Sequence, residues 1–340
     1  MAYIELSRKN YFHNLDILSN KLGSKDKLAV VLKDNAYGHG LQQMAILTKE
    51  YGIQTVVVRS TDEAEEINSL FDNILILSPK KYKENKKYHY IINSIEQIQT
   101  VPSKTQVHLK VDSGMHRNGI NVNELETAYE LIKKNHLILE ALMTHFRSAD
   151  ELTSEQFWQY KNWQKIKEKA QELTKKHNFK QPLFHSANSA ALLRSKNYED
   201  DLARCGIAAY GYHQIPEIFD IPALKPVMSL WAEKIATRVL QKGQRVGYGG
   251  AYTATKKMTV STYDIGYGDG FFRFNGKGKF FTSDNREFLG KVSMDSCIFE
   301  GDTNSICIFS DAKEIANFFN TISYDVVTKL SPVIPRLIVD

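Results

Sequence analysis

The chain has 340 residues, 42% apolar and 24% charged, the usage of an ordinary soluble globular protein and too long for one small core. Its net charge of +5, from 44 basic and 39 acidic residues, is mild, and the densest basic stretch, 80–87, is short and contains an acid, so a nucleic-acid surface is not expected. Cys205, Cys297 and Cys307 have no metal-type spacing and read as reduced, no metal is expected, no apolar run approaches a membrane span, and Glu5, Arg8 and Lys9 interrupt any secretory signal core, so the expected location is the cytoplasm.

A helix is expected over Ser7–Lys21 and a buried strand over Leu28–Leu32. Further strands are expected at Gln54–Val58, Ile74–Leu77, Tyr90–Ile92, Gln106–Val111, Leu139–Met143, Leu183–His185 and Ala203–Ile207. Helices are expected at Asn123–Lys134 and Ser154–His177, where Ser154 and the acid after it read as a helix start. Eight strands alternating with helices predict a parallel (β/α)8 barrel over residues 1–225. From Ser229 to Glu300 the chain turns β-rich and is broken by Gly243, Gly247, Gly249, Gly250, Gly266, Gly268, Gly270 and Gly276, which predicts a mostly antiparallel β domain over 226–340. Helical patches at Lys313–Phe319 and Ser323–Leu330 precede a last strand, Pro335–Val339.

Polar residues gather where the barrel strands end, the place where such a fold builds its active site. Lys33 closes the first strand, within Leu28-Ala-Val-Val-Leu-Lys-Asp-Asn-Ala-Tyr-Gly-His-Gly40. Burial of a lysine there would lower its pKa and free the amine for a Schiff base, and the tail supplies flexible backbone and a phenol, Tyr37. The fifth strand delivers Lys110 and Arg117, the sixth His145, the seventh His185, Asn188 and Ser189, and the eighth Arg204, Gly206 and Ile207. Taken singly, His145 and His185 read equally well as satisfied core histidines, and Arg204 as a structural ion pair. Five convergent strand ends favour function, because buried charges need partners or work. Asn188 and Ser189 fall near a helix N-terminus, a natural phosphate site, and Gly206 permits close backbone approach to an anion.

Lys33 to Gly40, Lys110-Val-Asp-Ser-Gly-Met-His-Arg117 and His185-Ser-Ala-Asn-Ser-Ala-Ala191 resemble motifs of the alanine racemases, pyridoxal-phosphate enzymes built on a barrel. The resemblance runs from Lys33 to Arg336 and implies interconversion of L- and D-alanine through a pyridoxal 5'-phosphate aldimine on Lys33. It implies that Tyr37, Ser189 and the Gly206 and Ile207 amides hold the phosphate, and that His145 and His185 surround the pyridine ring. It also implies that Arg204 meets the pyridine nitrogen. Arginine stays protonated, so it donates to that nitrogen without giving it a proton, which favours racemisation over transamination. In the segments around Arg245-Val-Gly-Tyr-Gly-Gly250, Ile265-Gly-Tyr-Gly-Asp-Gly270 and Val292-Ser-Met-Asp-Ser-Cys297, the resemblance makes Tyr248 a second catalytic base from a homodimer partner. Tyr267, Met294 and Arg117 would then line the substrate site, and Lys110 falls where many members carry a carbamylated lysine.

Two departures stand out: Asp34 replaces a common alanine, and Pro332 replaces a tyrosine of the family's C-terminal Ser-Tyr-Arg-Val-Pro-Arg. The implied product, D-alanine, serves bacterial cell-wall synthesis. The rival readings are a broader-specificity amino-acid racemase and a non-catalytic pyridoxal-phosphate carrier, which would lack the second domain.

Overall fold

The structure, a computed structural model, describes residues 1–340. The chain opens with β1 (Tyr3–Ser7) and α1 (Arg8–Leu22) and then divides between two compact units. One comprises Phe12–Ala36 and Met44–Lys225; the other comprises Met1–Tyr11, Tyr37–Gln43 and Pro226–Asp340.

The first unit is built on eight parallel strands: β2 (Leu28–Val31), β3 (Thr55–Val58), β4 (Asn73–Ile76), β5 (Tyr88–Ile92), β6 (Gln106–Lys110), β7 (Ile138–Met143), β8 (Leu183–His185) and β9 (Ala203–Cys205). They read as apolar runs because both faces are covered in such a sheet; every residue of β2 and β5 is buried. Their order is β8-β7-β6-β5-β4-β3-β2-β9, a nearly closed barrel. At the remaining seam, Asp201 N–H donates to Phe184 O (2.9 Å) and Arg204 N–H to Ala187 O (3.0 Å). The ladder between β6 and β7 slips at Val107/His108, and such irregularities re-aim side chains.

The helices between them are α2 (Lys33–Tyr37), α3 (Leu41–Tyr51), α4 (Thr61–Ile67), α5 (Ile95–Thr100), α6 (Leu125–Lys134), α7 (Glu155–His177) and α8 (Ser189–Arg194). Ser60, Ser94 and Asn188 cap α4, α5 and α8 through side-chain oxygens. α7 starts where expected, but Ser154 caps nothing with its hydroxyl; Thr153 Oγ1 accepts from Glu155 N–H instead (3.3 Å). The lysine-rich stretch 80–87 is a loop, with Lys83 paired to Glu65 and Lys87 to Asp72.

The second unit holds a six-stranded sheet, ordered β14-β13-β10-β1-β16 with β15 also on β10. Its further strands are β10 (Met228–Leu240), β11 (Arg245–Val246), β12 (Tyr252–Thr253), β13 (Met258–Tyr263), β14 (Cys297–Glu300), β15 (Ser305–Phe309) and β16 (Arg336–Val339), and its helices α9 (Ala312–Phe318) and α10 (Ser323–Lys329). Only β1 and β16 pair in parallel within this sheet. The expected boundary at 225/226 coincides with the end of the barrel unit at Lys225, while Met1–Tyr11 groups with the second unit because β1 pairs with β10 and β16. The expected β-rich stretch up to Glu300 holds its regular strands at its two ends. Between β13 and β14 the chain forms a short 3-10 turn, Tyr267–Asp269, and an isolated bridge, Phe281 to Glu287, and a cluster of phenylalanines supplies the core, with Phe280 and Phe288 stacked at 4.5 Å. All three cysteines are buried and free. No helix is long and apolar enough to cross a membrane.

Candidate active site

Directly after β2 the backbone reverses its hand. Asp34, Asn35, Ala36 and Tyr37 take φ values of 53, 54, 51 and 54°. Left-handed turns of non-glycine residues cost about 1–2 kcal/mol per residue, so the surroundings must enforce this one. Ala36 N–H donates to Leu32 O (2.8 Å). Glu63 Oε1 accepts from the N–H groups of Asp34 (2.7 Å) and Asn35 (3.4 Å), while its Oε2 accepts from Arg59 N–H (2.7 Å). Arg59 in turn binds Asp34 Oδ1 (2.9 Å). The turn is thus clamped to the segment that follows β3, and it fixes where Lys33 leaves the barrel. The Lys33 side chain is 35% exposed, with Nζ 3.7 Å from Asp34 Oδ2; a fully desolvated amine, the sequence expectation, is not what the fold provides.

The Gly-His-Gly tail, expected to be flexible, is packed tightly within the second unit. A Cβ on Gly38 (φ 81°) would lie 1.9 Å from Val327 O. Arg336 donates to Gly38 O from Nε (3.0 Å) and Nη2 (2.9 Å), and also to the carbonyls of Ser331 and Pro332 (3.1 Å each). The Tyr37 ring lies 6.0 Å from that of Tyr324, tilted by 53°.

At the carboxyl ends of the barrel strands the central group is Arg204, only 5% exposed. Its Nη1 donates to His185 Nδ1 (2.7 Å) and His185 O (3.0 Å), and its Nη2 to Thr144 O (2.7 Å) and Ser186 O (3.2 Å). A guanidinium has five N–H donors; these contacts use four and leave Nε–H. Burial pushes Arg204 down to about 10, so it remains a cation at neutral pH. None of the ion pairs joins it to a carboxylate.

His145, partly buried, is pushed down to about 3 by burial first and then by Arg204, Lys110, Arg117 and Lys33. It is therefore a neutral imidazole facing four cations. Lys110 is buried and pushed down to about 8 by that burial, by Arg204 and by Arg117, against the opposing effect of Asp112. Gly119 (φ 112°) passes so close to it that a Cβ would stand 3.2 Å from Lys110 Cγ. Arg117 is exposed on the intervening loop, which Asp112 Oδ1 organises by accepting from the N–H groups of Gly114, Met115 and His116.

Where β8 feeds α8, Asn188 Oδ1 caps the helix by accepting from Ala191 N–H (2.9 Å), and its Nδ2 donates to Phe146 O (3.4 Å). Ser189 Oγ accepts from the N–H groups of Gly206 (3.1 Å) and Ala208 (3.3 Å). These donors, with Ile207 between them, form a small cluster of N–H and O–H groups. Gly206 takes no positive φ, so backbone conformation does not explain the glycine.

The barrel therefore brings together Lys33, Lys110, His145, His185, Asn188, Ser189, Arg204, Gly206 and Ile207. Tyr248, Tyr267 and Met294 belong to the other unit. Tyr248 projects from a turn of left-handed glycines (Gly247, Gly249 and Gly250), 72% exposed, while Arg245 binds the Gly249 and Gly250 carbonyls at 2.9 Å. Tyr267 and Met294 sit on adjoining segments: Tyr267 N–H donates to Ser293 O (3.0 Å) and Gly268 N–H to Met294 O (2.6 Å).

Several residues escaped the sequence reading. Glu63 holds the lysine turn. His89 and His108 line up behind His185, with His108 Nδ1 2.9 Å from His185 Nε2 and His108 Nε2 3.2 Å from His89 Nδ1. The only signal for the histidines was one imidazole in the middle of each of two apolar strands.

Comparison with known proteins places these features among relatives. Residues 6–214 match the alanine racemase N-terminal domain family and residues 227–338 the alanine racemase C-terminal domain family. The chain is 50% identical over 340 residues to an alanine racemase of Nitratiruptor and 45% identical to one of Campylobacter jejuni, each match covering 100% of both chains. Among solved structures, an alanine racemase of Clostridium difficile superposes with a TM-score of 0.86 at 26% identity, covering 99% of this chain and 95% of that one. One of Bacillus anthracis with bound L-Ala-P gives 0.86 at 25% identity, with 100% and 95% covered. A histidine racemase of Leuconostoc mesenteroides shares the fold, with a TM-score of 0.85 at 24% identity and 100% and 98% covered.

Proposed function

The chain belongs to the alanine racemase family, and on that premise we propose that it interconverts L- and D-alanine with pyridoxal 5'-phosphate, as a cytoplasmic homodimer whose D-alanine serves bacterial cell-wall synthesis. The observation that carries the cofactor assignment is Arg204: a buried cation with no carboxylate partner and one N–H, on Nε, left over by its four contacts. That donor suits an aromatic ring nitrogen that accepts a hydrogen bond and is not itself protonated. The cations around His145, and the Ser189 hydroxyl that the Gly206 and Ala208 N–H groups hold in place, suit a phosphate and a substrate carboxylate.

Lys33, Tyr37, His145, Asn188, Ser189, Arg204, Gly206 and Ile207 would hold the cofactor, and His185 would act on it through Arg204. When bound, the cofactor acidifies the Cα–H of the amino acid. Lys33 exchanges that proton on one face, and Tyr248, contributed across the dimer interface, exchanges it on the other. One base cannot reach both faces of a planar carbon, so inversion needs two. Arg117, Tyr267 and Met294 would seat the substrate. With its pKa pushed down to about 8, Lys110 is set to add CO2, losing a proton and becoming a carbamate anion that pairs with Arg117.

Incubating purified protein with L-alanine, recording its absorbance and resolving the product on a chiral column tests the reading; unchanged L-alanine would overturn it. A broader amino-acid specificity is the second reading, because a histidine racemase shares this fold. Serine, lysine, arginine and histidine as substrates separate the two. A non-catalytic carrier would have no use for the second unit, and turnover excludes it.

A further inference from the structure

Behind Arg204 the barrel interior contains a file of three buried imidazoles, of which the reading above uses only His185. Arg204 Nη1 reaches His185 Nδ1 at 2.7 Å, His185 Nε2 reaches His108 Nδ1 at 2.9 Å, and His108 Nε2 reaches His89 Nδ1 at 3.2 Å. His185 is fully enclosed, His108 is 4% exposed and His89 9%. The rings meet edge to face, at centroid separations of 5.0 and 5.2 Å.

We propose that His185, His108 and His89 form one tautomer-ordered file that aims the Arg204 guanidinium, each histidine being a positioning residue for the cofactor's ring nitrogen. The logic is one of donors and acceptors. Arginine can only donate, so His185 Nδ1 must be a bare acceptor. A neutral His185 then carries its proton on Nε2 and donates to His108 Nδ1. His108 therefore carries its proton on Nε2 and donates to His89 Nδ1, which leaves His89 protonated on Nε2. A proton entering at His89 cannot run back along the file, because reversing every bond would put an N–H on His185 Nδ1 facing the Arg204 donor. The file has one sense, set by the cation at its end. Burial and the neighbouring Arg204 and His108 hold His185 well below the usual imidazole value, and burial alone brings His89 down to about 4. All three rings are thus neutral near pH 7, as the ordering demands.

The effect on turnover rests on the racemase reading, whereas the tautomers do not. The first measurement is therefore ¹⁵N NMR of the cofactor-free protein with labelled histidine, the three signals being assigned by single substitution. All three rings should report the Nε2–H form at neutral pH. An Nδ1–H form or an imidazolium at any of them overturns the proposal, whatever the enzyme's substrate. The second measurement compares His89→Asn, whose Oδ1 can take the place of the Nδ1 acceptor, with His89→Leu, which cannot accept. His89→Leu should disorder the His108 tautomer, lower kcat about tenfold, the lower end for losing an outer partner of a functional group, and leave KM for alanine within twofold. His89→Asn should restore most of the rate and the ordered His108 signal. Equal behaviour of the two variants refutes the file.

Discussion

The guanidinium of Arg336 donates twice to one carbonyl, that of Gly38: from Nε at 3.0 Å and from Nη2 at 2.9 Å. This contact ties the segment following the lysine turn to the last strand, 298 positions away. It gives the last strand a structural part in holding the segment that leaves the turn.

Arg336→Ala should destabilise the protein by about 1–3 kcal/mol, because the partly buried Gly38 and Ser331 carbonyls lose their donors. Gly38→Ala should be worse, combining strain at φ 81° with a Cβ 1.9 Å from Val327 O. Urea denaturation measures both, and midpoints equal to the parent's would refute the clamp.

Lys33→Ala should abolish the covalent adduct that borohydride fixes between protein and cofactor. The expectation follows from the exit of Lys33 at the head of a left-handed turn that Glu63 and Arg59 enforce. Cofactor still fixed covalently in this variant would remove Lys33 from its role.

Arg204→Glu should slow racemisation and raise side transamination. A carboxylate would hold the ring nitrogen protonated, whereas on the proposed reading a guanidinium would only donate to it. The substitution also replaces a buried cation that binds three backbone carbonyls, so thermal stability is followed in parallel. An unchanged ratio of the two products in folded protein would count against the assignment.

Lys110 makes a pH prediction. Its folded value of about 8 lies below the ordinary 10.5, because burial and two arginines disfavour the ammonium. Across that window the unfolded chain binds more protons, so this group's contribution to stability rises with pH and is lost as pH falls through about 8. In CO2-free buffer, Lys110→Met should flatten that part of the profile. With ¹³C-labelled CO2 the parent should show a carbamate signal that the variant lacks; its absence in the parent would rule out the modification.

Tyr248→Phe should reduce turnover in both directions by about two to four orders of magnitude, the usual loss for one positioned acid–base group, while cofactor stays bound through Lys33. Lys33→Ala and Tyr248→Phe homodimers should each be inactive, yet mixing them should restore some activity, because one site of the heterodimer keeps both bases. No recovery after demonstrated subunit exchange would make the shared site untenable.

The sequence alone settled the barrel, because strand formation there follows from local apolar runs such as Leu28–Val31 and Thr55–Val58, buried almost throughout. It also settled which residues stand together at the barrel's end, since Lys33, Lys110, His185 and Arg204 all lie at or beside strand ends, and a parallel barrel gathers those ends whatever the loops do. Tertiary structure alone decided the rest. β1 is not among the expected strands, and its pairing with β10 and β16 is what places it in the second unit. Asp34, Asn35, Ala36 and Tyr37 have no intrinsic reason to turn left-handed; Glu63, 29 positions from Asp34, helps to impose the turn. His108 lies 19 positions from His89 and 77 from His185. Their common direction exists only because the barrel places them in line behind a cation that can donate but never accept.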